Sequence, residues 1–226
     1  MEPGTDRFAI TDFPVEELRS FTEQDFLEIA VLMKVLSPTC SFDKAALEAV
    51  MADPASHLFV MRHTGAVQAA PAIVANDAAG PVHRPGRIIG CCTICLFTSP
   101  TGLKASLEDV AVLTFFQGHG LGRLLVENSL WMVRSMVSQK AIEEGLPREP
   151  QEEQQEQQEP QEQQEQREQQ EPHQRFSWSD LHAQKPDIQP KIHVQLTSKP
   201  QRKAANALYR SLGFTQKETN VYVLDI

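Results

Sequence analysis

The chain has 226 residues, 41% hydrophobic and 23% charged, with 21 Lys+Arg against 30 Asp+Glu and a formal net charge of −9. Nine of the acidic residues fall in Glu149–Pro172, a run that otherwise holds one Arg, eleven Gln and three Pro. Outside it stand 20 basic and 21 acidic residues, a balance too neutral for broad electrostatic capture of nucleic acid or acidic membrane, and apolar enough for one sizeable core.

The longest strongly apolar run, Ile88–Phe97, is about half of the roughly 20 residues a membrane-spanning helix needs. Met1–Arg7 carries Glu2 and Asp6 and leads into no apolar stretch, so no secretory leader is expected. Four cysteines, three of them within Cys91–Cys95, are too few for a disulfide scaffold, and neighbours on a strand point to opposite faces. Reduced thiols in a cytoplasmic chain are expected. Cys92-x-x-Cys95 lies in an apolar strand without the further ligands a zinc site requires, so no metal is expected.

In chain order, a strand near Val15–Ser20 leads into a helix over Glu23–Leu36, with an acidic first turn and Phe26, Ile29, Ala30 and Met33 as its apolar face. A second helix, near Asp43–Met51, starts after Ser41 and stops before Pro54. Strands near His57–Arg62 and Arg87–Phe97 bracket a loop rich in Ala, Pro and Gly. Another strand, near Ser106–Val112, precedes a turn and a long helix over Gly120–Ser138. Residues 141–190 have almost no apolar periodicity. Their short repeat of about three fits neither a coiled coil nor an amphipathic helix, and a disordered Gln/Glu/Pro-rich insert is expected there. A strand over Lys191–Leu196, a helix over Pro200–Leu212 and a final strand or pair within Phe214–Asp225 complete the chain.

The last 36 residues are too few to fold alone, so 1–140 and 191–226 are expected to form one domain interrupted by 141–190. Strands alternating with helices argue for an α/β sandwich with a mixed, partly parallel central sheet. A right-handed crossover through the long helix would make strands 106–112 and 191–196 parallel neighbours.

The most specific feature is the run Val110-Ala-Val-Leu-Thr-Phe-Phe-Gln117-Gly-His-Gly120-Leu-Gly122-Arg-Leu-Leu. A strand ends, three glycines occur in five residues, and a helix begins. The glycines let main-chain N–H groups approach a ligand without Cβ obstruction, and the first N–H groups of a helix suit a phosphate. The same glycines would also serve a tight strand-to-helix turn that binds nothing. The spacing fits neither the dinucleotide fingerprint nor the nucleotide-triphosphate loop.

The run does fit Gln-x-x-Gly-x-Gly over residues 117–122, and here the chain resembles the GNAT superfamily of acetyl-CoA-dependent N-acetyltransferases. Leu107-Glu-Asp-Val-Ala-Val112 is similar to that family's fourth strand. The tail from Gln195, through Asn206-Ala-Leu-Tyr209 to Leu-Gly213-Phe214, is similar to its fifth strand and last helix. The resemblance covers about 87–138 and 191–226; the insert has no counterpart. It implies a GNAT-like fold, acetyl-CoA as co-substrate, and backbone amides of Gln117, Gly118, His119, Gly120 and Gly122 on the CoA diphosphate.

Acetyl transfer to an amine needs an unprotonated nucleophile, a stabilised oxyanion and a proton for the departing thiolate. On an alternating strand Glu108, Val110 and Val112 face one way and Leu107, Asp109 and Ala111 the other. Glu108 keeps the spacing of bases in amino-sugar-phosphate acetyltransferases of the family; Asp109 is the alternative base or a substrate orienter. Either carboxylate could instead pair with Lys104 or Arg87. The resemblance further implies the amides of Val110 and Val112 for the acetyl carbonyl and pantetheine, and Tyr209 as proton donor to sulfur. Asn206 is assigned to the CoA arm or else to capping, and Arg123 to the CoA phosphates or else to solvent. His119 contributes main chain rather than its ring.

The expected reaction is direct acetyl transfer in a ternary complex to a primary amine, such as an amino-sugar phosphate. A protein N-terminus or lysine as acceptor, and a non-catalytic acyl-CoA-binding scaffold, are the alternatives. Partners are acetyl-CoA and the amine, with a homodimer left open.

Overall fold

The computed structural model describes residues 12–65, 76–77, 80–81, 84–143 and 191–224. They comprise β1 (Val15–Glu17), α1 (Glu23–Leu36), α2 (Lys44–Ala52), β2 (Ser56–His63), β3 (Asn76–Asp77), β4 (Gly80–Pro81), β5 (Arg87–Ser99), β6 (Gly102–Val112), α3 (Leu121–Glu143), β7 (His193–Gln195) and α4 (Lys203–Ser211). The Gln/Glu-rich run lies outside the described residues, and 141–143, expected to open it, belong to α3. The chain divides into two compact units, Met1–Val133 with Lys191–Ile226, and Arg134–Pro190. Of the second unit the C-terminal part of α3 is described, where the Ser138 hydroxyl donates to the Arg134 carbonyl at 2.9 Å.

The first unit is built on a mixed sheet of order β1-β2-β5-β6-β7. Its first four strands are antiparallel neighbours, and β6 and β7 run parallel, as a crossover through α3 requires. β3 and β4 form a separate short pair. β5 and β6 are joined by a tight hairpin at Pro100-Thr101, with Ser99 opposite Gly102 and Gly102 at φ +107°, a conformation glycine adopts without cost.

Leu58–Met61 and Ile88–Cys92 are buried without alternation, the pattern of strands covered on both faces. α3 covers one of them. The Cys92 thiol donates to the Ser129 hydroxyl at 3.3 Å, and Gly90, two residues earlier, lies under Leu125. α1 packs on β5 and β6, and α2 on β2.

The helices begin where their caps dictate. Thr22 caps α1 through a reciprocal box: its hydroxyl accepts from the Asp25 N–H at 3.1 Å while the Asp25 carboxylate accepts from the Thr22 N–H at 2.9 Å. Asp43 caps α2 by accepting from the Ala46 N–H at 2.8 Å. α1 matches the bounds read from sequence; α4 starts three residues later than expected, at Lys203. The expected final strand is absent: residues 214–224 carry no strand, and Val221, Tyr222, Val223 and Leu224 are largely exposed. Strand propensity becomes a strand only against an edge that pairs with it, and among the described residues β7 pairs with β6 alone.

Asp25 joins cap and sheet, since its carboxylate also accepts from Arg62 of β2 at 2.9 Å. Burial alone would raise its pKa, but the Thr22 bonds and the Arg62 guanidinium outweigh burial and hold the carboxyl below the usual range. Asp25→Ala should therefore cost on the order of 1–2 kcal/mol in urea denaturation. A folded-state pKa below the unfolded one contributes stability above the unfolded value and loses it as pH falls through the folded one. The deficit of the variant should accordingly shrink in acid.

Candidate active site

β6 and β7 pair only at Lys104, Ala105 and Ser106, opposite His193, Val194 and Gln195. Beyond Ser106, β6 continues six residues to Val112 with no described strand on that edge. The Leu113 N–H donates to Ile89 of β5 at 2.8 Å. Peptide groups of successive strand residues point to opposite edges, so the Val112 amide faces the open edge.

The regular alternation expected for residues 107–112 does not hold. Glu108 lies opposite Thr93 and Ala111 opposite Cys91, so Asp109 and Val110 together face Cys92: a β-bulge. Asp109 has φ +52° and is the described non-glycine residue with positive φ, a conformation Asp tolerates better than most side chains at a cost of about 1–2 kcal/mol. The extra residue puts Glu108 and Ala111 on one face, where strict alternation separates them. The Glu108 carboxylate Oε1 accepts a hydrogen bond from the Ser106 hydroxyl. Crowding by surrounding protein, and second the Glu108 charge, push the Asp109 carboxyl above its ordinary pKa, although the residue keeps an exposed surface.

Past Val112 the chain makes a 3-10 turn at Thr114–Phe116 that buries Phe116. Gln117 then reaches back, its side-chain amide donating to the Val112 carbonyl at 2.8 Å. Gly118 and Gly120 have φ +81° and +80°, and a Cβ on either would meet nothing within 4 Å. Their glycine character thus serves the backbone turn and leaves open space beside its amides. Gly122 has another reason: its Cβ would stand 3.3 Å from Leu208 of α4. His119 lies between the two turn glycines with its residue exposed.

α4 brings Tyr209 to the same region. Its ring meets Phe214 edge-on at 6.0 Å. Burial raises the phenol pKa, Arg202 opposes, and Cys92 and Glu108 push it further up. Two residues assigned to CoA have protein partners. The Asn206 amide donates to the Lys199 carbonyl at 3.0 Å and holds the turn before α4. Arg123 donates to Glu127 one turn along α3 at 2.9 Å, with the arginine side chain 48% exposed. Ser106 was not singled out from sequence, although a hydroxyl two residues before a carboxylate on a strand shares its face.

Burial pushes the Cys92 thiol up to about 12 and the Cys91 thiol well above its ordinary value, and no described Cys, His, Asp or Glu residues group as a metal site. A separate open cleft of about 410 Å³ is lined by Arg19, Ser20, Phe21, Glu48, Met51 and Ala52. None of these belongs to β6, the glycine turn or α4.

A strand that ends in a glycine turn opening a helix is the arrangement read from sequence as a CoA site, and the structure adds the loss of the partner strand beyond Ser106. The acetyltransferase (GNAT) family model matches residues 34–148, just over half of the chain. The chain belongs to the GNAT family. It is therefore an acetyl-CoA-dependent acyltransferase. Two solved structures share its fold. Glucosamine-6-phosphate N-acetyltransferase from Arabidopsis thaliana is 13% identical with a TM-score of 0.51, over 94% of this chain and 97% of that one. An aminoglycoside acetyltransferase from an uncultured soil metagenomic sample, in complex with sisomicin, is 14% identical with a TM-score of 0.50, over 96% of this chain and 97% of that one. A search of curated protein sequences returns no match.

The open space at Gly118 and Gly120 and the free edge of β6 suit a long diphosphate-bearing donor. Gly120→Ala should cost the fold only the backbone term, about 1–2 kcal/mol. Its Cβ would project beside the turn amides, so CoA affinity in calorimetric titration should fall by more than about tenfold, well beyond the change in melting temperature.

Proposed function

We propose that this acyltransferase moves an acetyl group from acetyl-CoA to a primary amine by direct attack, both substrates being bound together. The acceptor is a small amine of the amino-sugar class. The observation that supports the mechanism is the place of Glu108 just past the last residue of β6 that pairs with β7, with Tyr209 on the helix whose Leu208 packs at Gly122 beside the end of β6. The acceptor class rests on the Glu108-Asp109-Val110 run, which keeps the spacing of bases in amino-sugar-phosphate acetyltransferases of this superfamily.

The co-substrate supplies an activated thioester carbonyl. The amides of Gln117, Gly118, His119, Gly120 and Gly122 hold its diphosphate, and those of Val110 and Val112 hold the carbonyl and pantetheine arm. An amine reaches the site protonated at neutral pH and must lose a proton to attack. Glu108 takes that proton at its carboxylate, directly or through one water. Tyr209 holds its proton at the phenol oxygen and gives it to the departing sulfur, and the phenolate is restored by the second proton that the nitrogen sheds as the tetrahedral adduct collapses to the amide. Asp109, its charge disfavoured by its surroundings, orients the acceptor beside Glu108.

Thiol release from acetyl-CoA with a panel of amino sugars, their phosphates, aminoglycosides and free peptide N-termini tests the reading. Glu108→Gln and Tyr209→Phe should each lower kcat by about 10²-fold while CoA affinity stays within about twofold. A fall in affinity matching the fall in kcat would contradict these roles. Because the Tyr209 pKa is raised, the donor stays protonated well above neutrality. The Tyr209→Phe deficit should therefore be constant between about pH 6 and 9.

A further inference from the structure

We propose that Ser106 is a positioning residue that acts through Glu108. It rests on the reading of Glu108 as the base. Ser106 occupies a fixed point in the sheet: it lies opposite Cys95 of β5 on one side and Gln195 of β7 on the other. It is the last residue of β6 held by both neighbours, and its backbone cannot shift without disturbing two ladders. Glu108, two residues on, is on the same face and on the far side of the point where β7 leaves.

A glutamate side chain has three rotatable bonds, and on a half-open strand they leave the carboxylate free to sweep solvent. The Ser106 hydroxyl removes that freedom by donating to Oε1. Among the described residues Oε2 accepts no hydrogen bond, which leaves it as the oxygen that meets the amine or its water. A hydroxyl anchored in a three-strand ladder thus fixes the orientation of a carboxylate just beyond it. Bonds to a charged group are among the stronger ones a side chain makes, and misplacing a reacting group by about 1 Å can cost on the order of 10²-fold.

The experiment uses the full chain, acetyl-CoA and the amine turned over fastest in the panel, with Ser106→Ala, Ser106→Thr, Glu108→Gln and the double variant Ser106→Ala/Glu108→Gln. Ser106→Ala should lower kcat about tenfold with KM for acetyl-CoA within about twofold. Ser106→Thr, which keeps the hydroxyl, should recover most of the loss. In the Glu108→Gln background Ser106→Ala should change kcat by less than about twofold, since a residue acting through another has no effect once that one is gone. Full kcat in Ser106→Ala, or losses that multiply in the double variant, would overturn the proposal while leaving the acetyltransferase reading intact. A wild-type chain that acetylates no amine in the panel would overturn both. Should Ser106→Ala fail to fold, Ser106→Thr and Ser106→Cys decide: threonine must exceed cysteine in kcat, because a thiol is the weaker donor.

Discussion

The site depends on one departure from regular structure: β7 stops pairing with β6 after Ser106, while β6 runs on to Val112. Main-chain N–H and C=O groups away from water must find partners. An edge strand left open beside a covered sheet is therefore a row of donors and acceptors waiting for an extended ligand. Pantetheine is such a ligand, with two amides on a flexible chain, and it can take the place of a strand. The divergence itself follows from connectivity. α3 lies between β6 and β7, and a parallel pair joined through a long helix needs only the first few residues of β7 to meet β6.

The bulge at Asp109 adds the second half of the geometry. Inserting one residue opposite Cys92 turns the strand locally and reverses the sides on which the following residues fall. Asp109 absorbs the left-handed conformation, so Ala111 returns to register opposite Cys91 and the Val112 amide to the open edge, while Glu108 keeps its place opposite Thr93. Conformational cost of this kind persists only where surrounding packing enforces it. Here the enforcement is Cys91, Cys92 and Ile94, all fully buried, which leave β5 no room to follow the bulge.

The helices, the central strands and the glycine turn were legible in the sequence because each has a local signature. An acidic first turn and a spaced apolar face announce α1, Ser41 and Pro54 bracket α2, apolar runs announce β2 and β5, and Gln117-x-x-Gly-x-Gly announces the turn. The bulge was not legible, since a run of Leu-Glu-Asp-Val-Ala-Val alternates as well with an extra residue as without one, and only pairing with β5 reveals the slip. The last strand failed for a related reason. Phe214–Asp225 has the composition of a strand, but pairing is a tertiary event, and Val221–Leu224 find no edge among the described residues. Asn206 and Arg123 were placed on their helices by spacing, while the Lys199 carbonyl and the Glu127 carboxylate that they bond were not legible.

Gly122 connects the two halves of the site. Its missing side chain admits Leu208 of α4 to 3.3 Å from where a Cβ would stand, and that same hypothetical atom would lie 4.0 Å from Val112. The start of α3, the end of β6 and α4 therefore meet at a single point without a side chain. Tyr209 is the residue after Leu208, so the distance between the phenol and β6 is set partly by how closely α4 approaches Gly122. Meanwhile Arg202, just before α4, donates to the Leu36 carbonyl at 2.7 Å and fastens the helix start to the end of α1. The glycines at 118 and 120 serve the turn's own backbone, whereas the one at 122 serves packing. Packing at that point brings the helix carrying Tyr209 against the start of α3, beside the end of the strand carrying Glu108.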